Sequence, residues 1–159
     1  MKDGGSIRLS SGATMPVVGL GTWKAERGKV GETVSYALTE CGYRHIDCAW
    51  IYGNEKEIGE SFKSVFGSGT VKREEVFITS KLWNSFHARK NVAKACKETL
   101  NNLKLEYLDL YLIHWGLPTP PEDTDPDADI VDKEGFLTTE AIPVRETWEA
   151  MQELVKAGL

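Results

Sequence analysis

Four polar side chains of complementary chemistry follow short apolar runs along this chain. Asp47 ends the run RHID, Tyr52 lies five positions later, Lys81 follows FITS, and His114 follows LDLYLI. A phenol has an unperturbed pKa of about 10, too high for an efficient acid at neutral pH, and a nearby ammonium lowers it by favouring the phenolate. An aspartate would hold that ammonium in place, and a histidine would orient a carbonyl oxygen or relay the proton. The set predicts a device that protonates an oxyanion as it forms. Carbonyl reduction needs such a device, together with a hydride from a cofactor.

Taken singly, each of these residues has an ordinary structural explanation. Asp47 fits a turn or cap acid, Tyr52 a packed amphipathic residue, and Lys81 a solvated charge. His114 fits a core histidine with both ring nitrogens satisfied. Only the joint placement of the four at successive strand ends favours catalysis. The glycines of VVGLGT do not extend to a dinucleotide fingerprint, because no third glycine follows at the required spacing.

The elements that must hold these residues alternate along the chain. Two short runs, 6–10 and 14–18, predict a hairpin. Apolar runs then predict strands at 17–22, 44–48, 75–80 and 108–115. Helical spacing predicts helices over 29–41, from 55 to the glycines at 67–69, over 88–103 and over 144–159.

Several local features are predicted within these elements. Asn54 followed three residues later by Glu57 predicts a capping box at the start of the second helix. The acidic stretch 122–129 predicts a solvated surface loop. Gly42 and Gly158 are predicted to end their helices. The last helix is predicted to turn four large side chains to the core: Trp148, Met151, Leu154 and Val155.

Alternating strands and helices predict parallel strands with right-handed crossovers. Two architectures fit this order: an open doubly wound sheet, or part of a (β/α)8 barrel. In both, the carboxyl ends of the strands share one rim, where function collects. The strand ends would bring Trp23, Trp83 and Trp115 to the same rim as the four polar residues. Their indoles would wall an apolar pocket suited to aldehydes or ketones.

The composition narrows the class of protein. The chain has 159 residues, 41% hydrophobic and 27% charged, which predicts one globular domain with its own core. Its net charge of −5 argues against a nucleic-acid partner, and no apolar run approaches a membrane span or a signal peptide. Three cysteines without CxxC spacing predict reduced thiols, and a cytoplasmic location is expected. No metal site is predicted.

Longer motifs around these residues resemble those of one family. The stretches MPVVGLGTWK, GYRHIDCAWIYGNE, FITSKLW and LDLYLIHW closely resemble the aldo-keto reductases, particularly the aldose and aldehyde reductases. The resemblance runs through residues 7–115 and resumes in WEAMQELVKAGL. It implies a (β/α)8 barrel whose base is plugged by an N-terminal hairpin. It also implies NADPH-dependent reduction of aldehydes and ketones to alcohols.

The resemblance also implies roles for individual residues. The family's catalytic tetrad corresponds to Asp47, Tyr52, Lys81 and His114, with Tyr52 as the proton donor. Thr22, Trp23 and Asp47 match positions near the nicotinamide end of the cofactor. The substrate positions of the family correspond to Trp23, Ile51, Trp83, His114 and Trp115. Gly116 stands where a proline usually follows the His-Trp pair, and the loop over 116–142 has its own composition.

The chain is short for the whole fold that this resemblance implies. A (β/α)8 barrel takes about 250 residues. The expectation is therefore a single incomplete domain over 1–159: a hairpin at 5–18, four βα units, and the long loop at 116–142. In the family, most of the residues that bind the cofactor lie in the second half of the barrel. The chain is expected to be a fragment of an active reductase. The alternatives are a chain that completes its barrel with a second copy or another chain, and a non-catalytic binding module.

Overall fold

A computed structural model describes residues 5–121, 123 and 131–159 of the chain. The predicted acidic surface loop at 122–129 lies outside these residues except for Asp123, which is buried rather than solvated. None of the helices in the described part of the chain is long and apolar enough to cross a membrane.

The chain opens with an antiparallel hairpin inside the range 5–18. Strand β1, Ser6–Arg8, pairs with β2, Thr14–Pro16. The turn between them closes when Leu9 N donates to Ala13 O at 2.8 Å. Gly12 lies in this turn at φ 90°, a left-handed conformation that a residue without a Cβ adopts most easily.

A parallel sheet of four strands follows, and it runs in chain order. Its strands are β3, Leu20–Gly21; β4, His45–Asp47; β5, Phe77–Leu82; and β6, Leu110–Ile113. The first strand is much shorter than the predicted 17–22. A doubly wound sheet reverses its strand order at a switch point, whereas this order, β3-β4-β5-β6, contains no reversal. The sheet is therefore wound in one direction only.

Four helices pack side by side against this sheet. They are α1, Val30–Thr39; α2, Glu55–Gly67; α3, Arg89–Leu103; and α4, Val144–Lys156. Each helix contacts the next one along the chain. The fully buried side chains of the core come from both layers and include Leu38, Ile46, Ile58, Phe62, Ile78 and Leu103. All three cysteines, each within the described residues, are free thiols, and Cys48 and Cys96 are buried in the same core.

The predicted capping box at α2 is wrong. The Asn54 side chain makes no capping hydrogen bond: its Nδ2 donates to Thr22 O at 2.8 Å, and its Oδ1 is buried without a partner among the described residues. Glu57 turns to the neighbouring helix, where its carboxylate accepts from Gly28 N at 3.0 Å and from Gly31 N at 2.9 Å. Glu57 thus satisfies amides at the start of α1, which is where a negative charge is favoured. Hydrogen bonds to other elements therefore take the place of the local capping box.

The buried face of α4 differs from the prediction. Met151 and Leu154 are buried as expected, but Trp148 and Val155 are 56% and 78% exposed. The helix buries its smaller residues Thr147 and Ala150 instead. Within the described residues α4 packs mainly against α3, so only a narrow stripe of its surface is covered. The helix ends where predicted, with Gly158 at φ 75°, and Gly42 after α1 has a φ of 73°.

Candidate functional site

The carboxyl ends of the four parallel strands form one rim. The register pairs Gly21 with Asp47, and Lys81 with Leu112. The backbone N of His114 donates to Leu82 O at 3.0 Å, which continues the pairing one residue beyond β6. Tyr52 reaches the same rim from a short 3-10 helix, Trp50–Tyr52, that follows β4. The structure therefore brings all four predicted polar residues together.

Lys81 is the centre of this group. Its Nζ donates to Asp47 Oδ2 at 2.9 Å, to Cys48 O at 2.7 Å and to Tyr52 Oη at 3.2 Å. The Lys81 side chain is 12% exposed, while that of Asp47 is 36% exposed. An ammonium has three protons and no acceptor, so these three contacts use all of its donors. Lys81 has no proton left for a further ligand such as a phosphate.

The contact with Lys81 determines how the Tyr52 hydroxyl is used. Because the ammonium can only donate, the Tyr52 oxygen is the acceptor of the 3.2 Å bond. The phenolic proton is not used in that bond, so it remains available to another acceptor. Gly53 directly after Tyr52 has a φ of 67°, a turn conformation that glycine adopts without strain. This turn leads into α2, which begins at Glu55.

His114 packs edge-on against Tyr52, with ring centroids 5.8 Å apart, and against Trp83 at 5.2 Å. Burial lowers the pKa of His114, the Lys81 ammonium lowers it further, and the Asp47 carboxylate opposes them. The imidazole is therefore neutral near pH 7, with one nitrogen protonated. Its Nδ1 is buried without a hydrogen-bond partner among the described residues.

The three predicted tryptophans surround the polar group. Trp23 stacks against Tyr52 with centroids 6.4 Å apart and is 64% exposed. Trp115 is half-exposed and lies 5.6 Å from Trp83. Trp83 is buried, and its Nε1 donates to Asp123 O at 3.0 Å. The rim is therefore walled by indoles on two sides of the phenol.

Two other predicted residues lie deeper than the rim. Thr22 is buried and donates its Oγ1 to Asp47 O at 3.0 Å, so its hydroxyl joins the ends of β3 and β4. Ile51 is 4% exposed and packs with Ala49 and Trp83 beneath the surface. Neither side chain presents much surface to a ligand in this arrangement.

Sequence reasoning missed the residues behind the rim. The acceptor Cys48 O, the buried Asn54 and the buried Glu55–Ser80 pair all lie beside the Lys81 group. The alternation of side chains along a strand was the available signal for Ser80, since the neighbour of a rim residue must face the helices. Nothing local distinguishes Asn54 from an ordinary helix cap.

Two histidines lie away from this group. His45 contacts Pro16 O through Nδ1 at 3.0 Å and Thr79 Oγ1 through Nε2 at 3.1 Å, so it joins the hairpin to the sheet. His87 is fully buried next to the Trp115 backbone, and burial lowers its pKa. In the described part of the chain, no three His, Cys, Asp or Glu side chains lie close enough to hold a metal ion.

Comparison with known proteins gives a consistent result. The sequence model of the aldo/keto reductase family matches residues 17–159. The chain is 49% identical to human aldo-keto reductase family 1 member A1 over 160 residues, covering 96% of this chain and 46% of that protein. It is 50% identical to aldose reductase B of Dictyostelium discoideum over 150 residues, covering 91% of this chain and 47% of that protein.

Solved structures agree with the sequence matches. The aldose reductase of Schistosoma japonicum superimposes with a TM-score of 0.87 at 48% identity, covering 98% of this chain and 50% of that one. An aldo-keto reductase of Bombyx mori, solved in complex with NADP, gives a TM-score of 0.84 at 38% identity, covering 100% and 49%. The chain thus spans about half the length of the relatives that it matches.

Proposed function

The chain belongs to the aldo/keto reductase family, and from this membership and the rim geometry we propose that its site reduces an aldehyde or ketone to an alcohol with NADPH. The observation that carries the proposal is the contact between Lys81 and Tyr52, at 3.2 Å. It leaves the phenolic proton free while an ammonium stabilises negative charge on the phenol oxygen. A side chain in that state is a proton donor matched to a forming alkoxide.

Each polar residue has a distinct role in this proposal. Tyr52 gives its proton to the carbonyl oxygen of the substrate, and the Lys81 ammonium stabilises the phenolate that remains. Asp47, at 2.9 Å from Lys81 Nζ, keeps the ammonium charged and oriented. His114 is neutral near pH 7, because burial lowers its pKa, and can donate one hydrogen bond that orients the carbonyl.

The proposed cofactor position is at the same rim. When bound, NADPH supplies the hydride that adds to the carbonyl carbon. The exposed Trp23 ring and the partly exposed Asp47 carboxylate flank Tyr52 and fit the nicotinamide end, with Thr22 beneath them. Since Lys81 has no free proton, the cofactor phosphates need positive charge from other residues. The NADP bound by the Bombyx mori relative supports this choice of cofactor.

The substrate would lie beside the phenol, among the three indoles. Trp83 and Trp115, with centroids 5.6 Å apart, and the exposed Trp23 offer apolar walls for the carbon skeleton of an aldehyde or ketone. Ile51 supports the Trp83 ring from below. These residues favour an apolar substrate over a charged one.

We infer that the working site belongs to a complete (β/α)8 barrel, of which this chain supplies the hairpin and the first four βα units. The consecutive strand order and the half-length match to full-length relatives support this inference. The missing half would come from a longer form of the chain, a second copy or another chain. In each case it would cover the edges of β3 and β6, which an isolated half leaves unpaired.

Substitution of Tyr52 by phenylalanine tests the proton donor. Tyr52→Phe removes only the phenolic oxygen, so reduction should fall by about 10²-fold or more while NADPH still binds. Turnover is followed by NADPH absorbance with an added aldehyde, and binding by quenching of tryptophan fluorescence. Tyr36→Phe on α1, exposed and remote from the rim, is the matched control. Unchanged turnover in Tyr52→Phe would remove Tyr52 from this role.

The assay is run on the 159-residue chain and on a completed barrel. If the chain alone binds NADPH and turns over aldehyde, it completes its own site, and light scattering should then show more than one copy. If only the completed barrel is active, the four polar residues act only with the second half present.

A further inference from the structure

Two side chains that follow Tyr52 are buried although both are polar. Asn54 is 8% exposed and Glu55 is 2% exposed. Neither contacts the position where a substrate carbonyl would lie, and the proposed chemistry uses neither. Burying an amide and a carboxyl costs free energy unless both find partners. The hydrogen-bond partners of Asn54 and Glu55 therefore indicate what the two buried side chains do.

Asn54 connects the Tyr52 segment to the end of β3. Its Nδ2 donates to Thr22 O at 2.8 Å in a buried hydrogen bond. Thr22 is itself fixed to β4, because both its N and its Oγ1 donate to Asp47 O, at 3.1 and 3.0 Å. The Asn54 bond therefore fixes Tyr52 relative to the strands that carry Thr22 and Asp47.

Glu55 connects the same segment to β5 on the other side. Its Oε1 accepts from Ser80 Oγ at 2.7 Å, and its Oε2 accepts from Asn102 Nδ2 at 3.4 Å. Ser80 is fully buried and directly precedes Lys81 in β5. Successive side chains of a strand face opposite sides, so Ser80 faces the helices while Lys81 faces the rim. A shift of Glu55 relative to Ser80 would therefore change the distance between Tyr52 and Lys81.

The Lys81–Tyr52 contact has little tolerance for such a shift. At 3.2 Å between Nζ and Oη it is already at the long end of hydrogen-bond distances. A displacement of a few tenths of an ångström would weaken it markedly. The backbone at Tyr52 makes the hydrogen bonds of a single 3-10 turn, Tyr52 N to Ala49 O and Gly53 N to Trp50 O.

We propose that Asn54 and Glu55 are positioning residues: their buried hydrogen bonds to Thr22 and Ser80 hold the Tyr52 segment between two strands and maintain the Lys81–Tyr52 contact. The inference deepens the proposed function, since the contact they maintain is the one assigned to proton donation. Neither residue touches the substrate. The role requires a hydrogen-bond acceptor at 55, not a negative charge.

The test measures the Lys81 ammonium directly. Hydrogen exchange of its NζH₃⁺ group is followed by ¹⁵N–¹H NMR at low temperature, and the signal is assigned by its loss in Lys81→Met. Ser80→Ala should raise the exchange rate roughly fivefold, the factor that losing one neutral hydrogen bond gives in a local opening equilibrium. Ser61→Ala is the matched control, because Ser61 is also a buried serine with a 2.7 Å bond between elements, to Ser35, away from the rim. It should leave Lys81 exchange unchanged.

Variants at 54 and 55 complete the test. Glu55→Ala and Asn54→Ala should raise Lys81 exchange as Ser80→Ala does, whereas Glu55→Gln keeps an acceptor for Ser80 and should restore the original rate within about twofold. Circular dichroism checks that each variant is folded. If Glu55→Ala does not fold, Ser80→Ala, which removes one oxygen, decides the question.

Two results would overturn the proposal. One is an unchanged Lys81 signal in folded Ser80→Ala. The other is an equal rise in Ser80→Ala and Ser61→Ala, which would mean general loosening instead of positioning. The measurement needs neither cofactor nor turnover. It can therefore succeed even if Tyr52→Phe leaves reduction intact, in which case the proposed function fails and the positioning role does not.

Discussion

The buried carboxyl of Glu55 predicts a specific dependence of stability on pH. Glu55 lies at the start of α2 with its side chain enclosed between β5 and α3. Burial raises its pKa from 4.5 to about 7, against the opposing effect of the hydrogen bonds from Ser80 and Asn102. Glu55→Gln removes the charge while keeping the size of the side chain and an oxygen that can accept from Ser80. Its NH₂ group replaces the oxygen that accepts from Asn102 Nδ2 at 3.4 Å, but that loss does not vary with pH, so the pH-dependent part of the difference reports the ionisation.

The direction and the size of this pH dependence follow from the difference between the pKa values of Glu55 in the folded and unfolded chain. Below pH 4.5 the carboxyl is protonated in both the folded and the unfolded chain, so it carries no penalty. As the pH rises from 4.5 to about 7, the unfolded chain releases the proton while the folded chain retains it, and the free energy of unfolding falls. Above that range the loss is complete. The difference between the two pKa values corresponds to about 3 kcal/mol at most.

Few other groups near Glu55 titrate in this range. Cys48, Cys96 and Tyr111 have pKa values raised by burial, so they stay neutral from pH 4 to 8. The exposed Glu98 carboxylate is the further charge that raises the pKa of Glu55. Its repulsion acts only on a charged Glu55, so it is absent from Glu55→Gln and forms part of the difference between the two chains.

Urea denaturation from pH 4 to 8 measures this effect. The free energy of unfolding of the original chain should fall relative to that of Glu55→Gln by about 1–3 kcal/mol across the range. At pH 8 the glutamine variant should be the more stable of the two. Glu74→Gln, at an exposed carboxylate, should give a profile parallel to that of the original chain. Parallel profiles for Glu55→Gln as well would refute the reasoning.

Two further predictions concern other parts of the molecule. A Cβ at Gly59 would clash with Asn102 O, so Gly59→Ala should destabilise the chain by about 3 kcal/mol or more, whereas Gly67→Ala, with nothing within 4 Å, should be nearly neutral. Urea denaturation compares the two variants, and equal effects would contradict the contact. The pKa of His114 is lowered by burial, so its ring signals, assigned by their loss in His114→Gln, should titrate below pH 6.5 by NMR, and stability should fall on acidification through that pKa. A midpoint above pH 6.5 would show that Asp47 outweighs burial.

The alternation of strands and helices was readable from sequence because it depends on local periodicity. The predicted runs around Ile46 and Ile78 contain the buried strand positions, and the spacing of Val92, Cys96 and Leu100 matches the buried face of α3. The order in which the strands pair in the sheet could not be predicted from the sequence. Both candidate architectures share the same local pattern, and only the order of strand pairing separates them.

The errors occurred where a tertiary partner competed with a local pattern. Asn54 and Glu57 have the spacing of a capping box, but the Asn54 amide donates to Thr22 O and the Glu57 carboxylate accepts from the amides of α1. On α4 the largest apolar side chains were expected inside, yet Trp148 is exposed because that flank of the helix meets no described element. A helix face cannot be assigned from one sequence when its neighbours on the sheet are unknown.

Some residues of the candidate site could likewise be predicted from the sequence, and others could not. Rim residues such as Lys81 and His114 end apolar runs, so a polar residue there is conspicuous in the sequence. Ser80 lies inside its run, where a small polar residue passes as an ordinary strand residue, and Glu55 passes as an acid in the first turn of a helix. Only the 2.7 Å bond between them shows that both are buried on the helix side of β5. Residues that would take part in catalysis must reach the rim, so they can be predicted from their positions at strand ends. Residues that hold them in place lie behind the sheet. The second kind becomes visible only when the pairing of strands and helices is known.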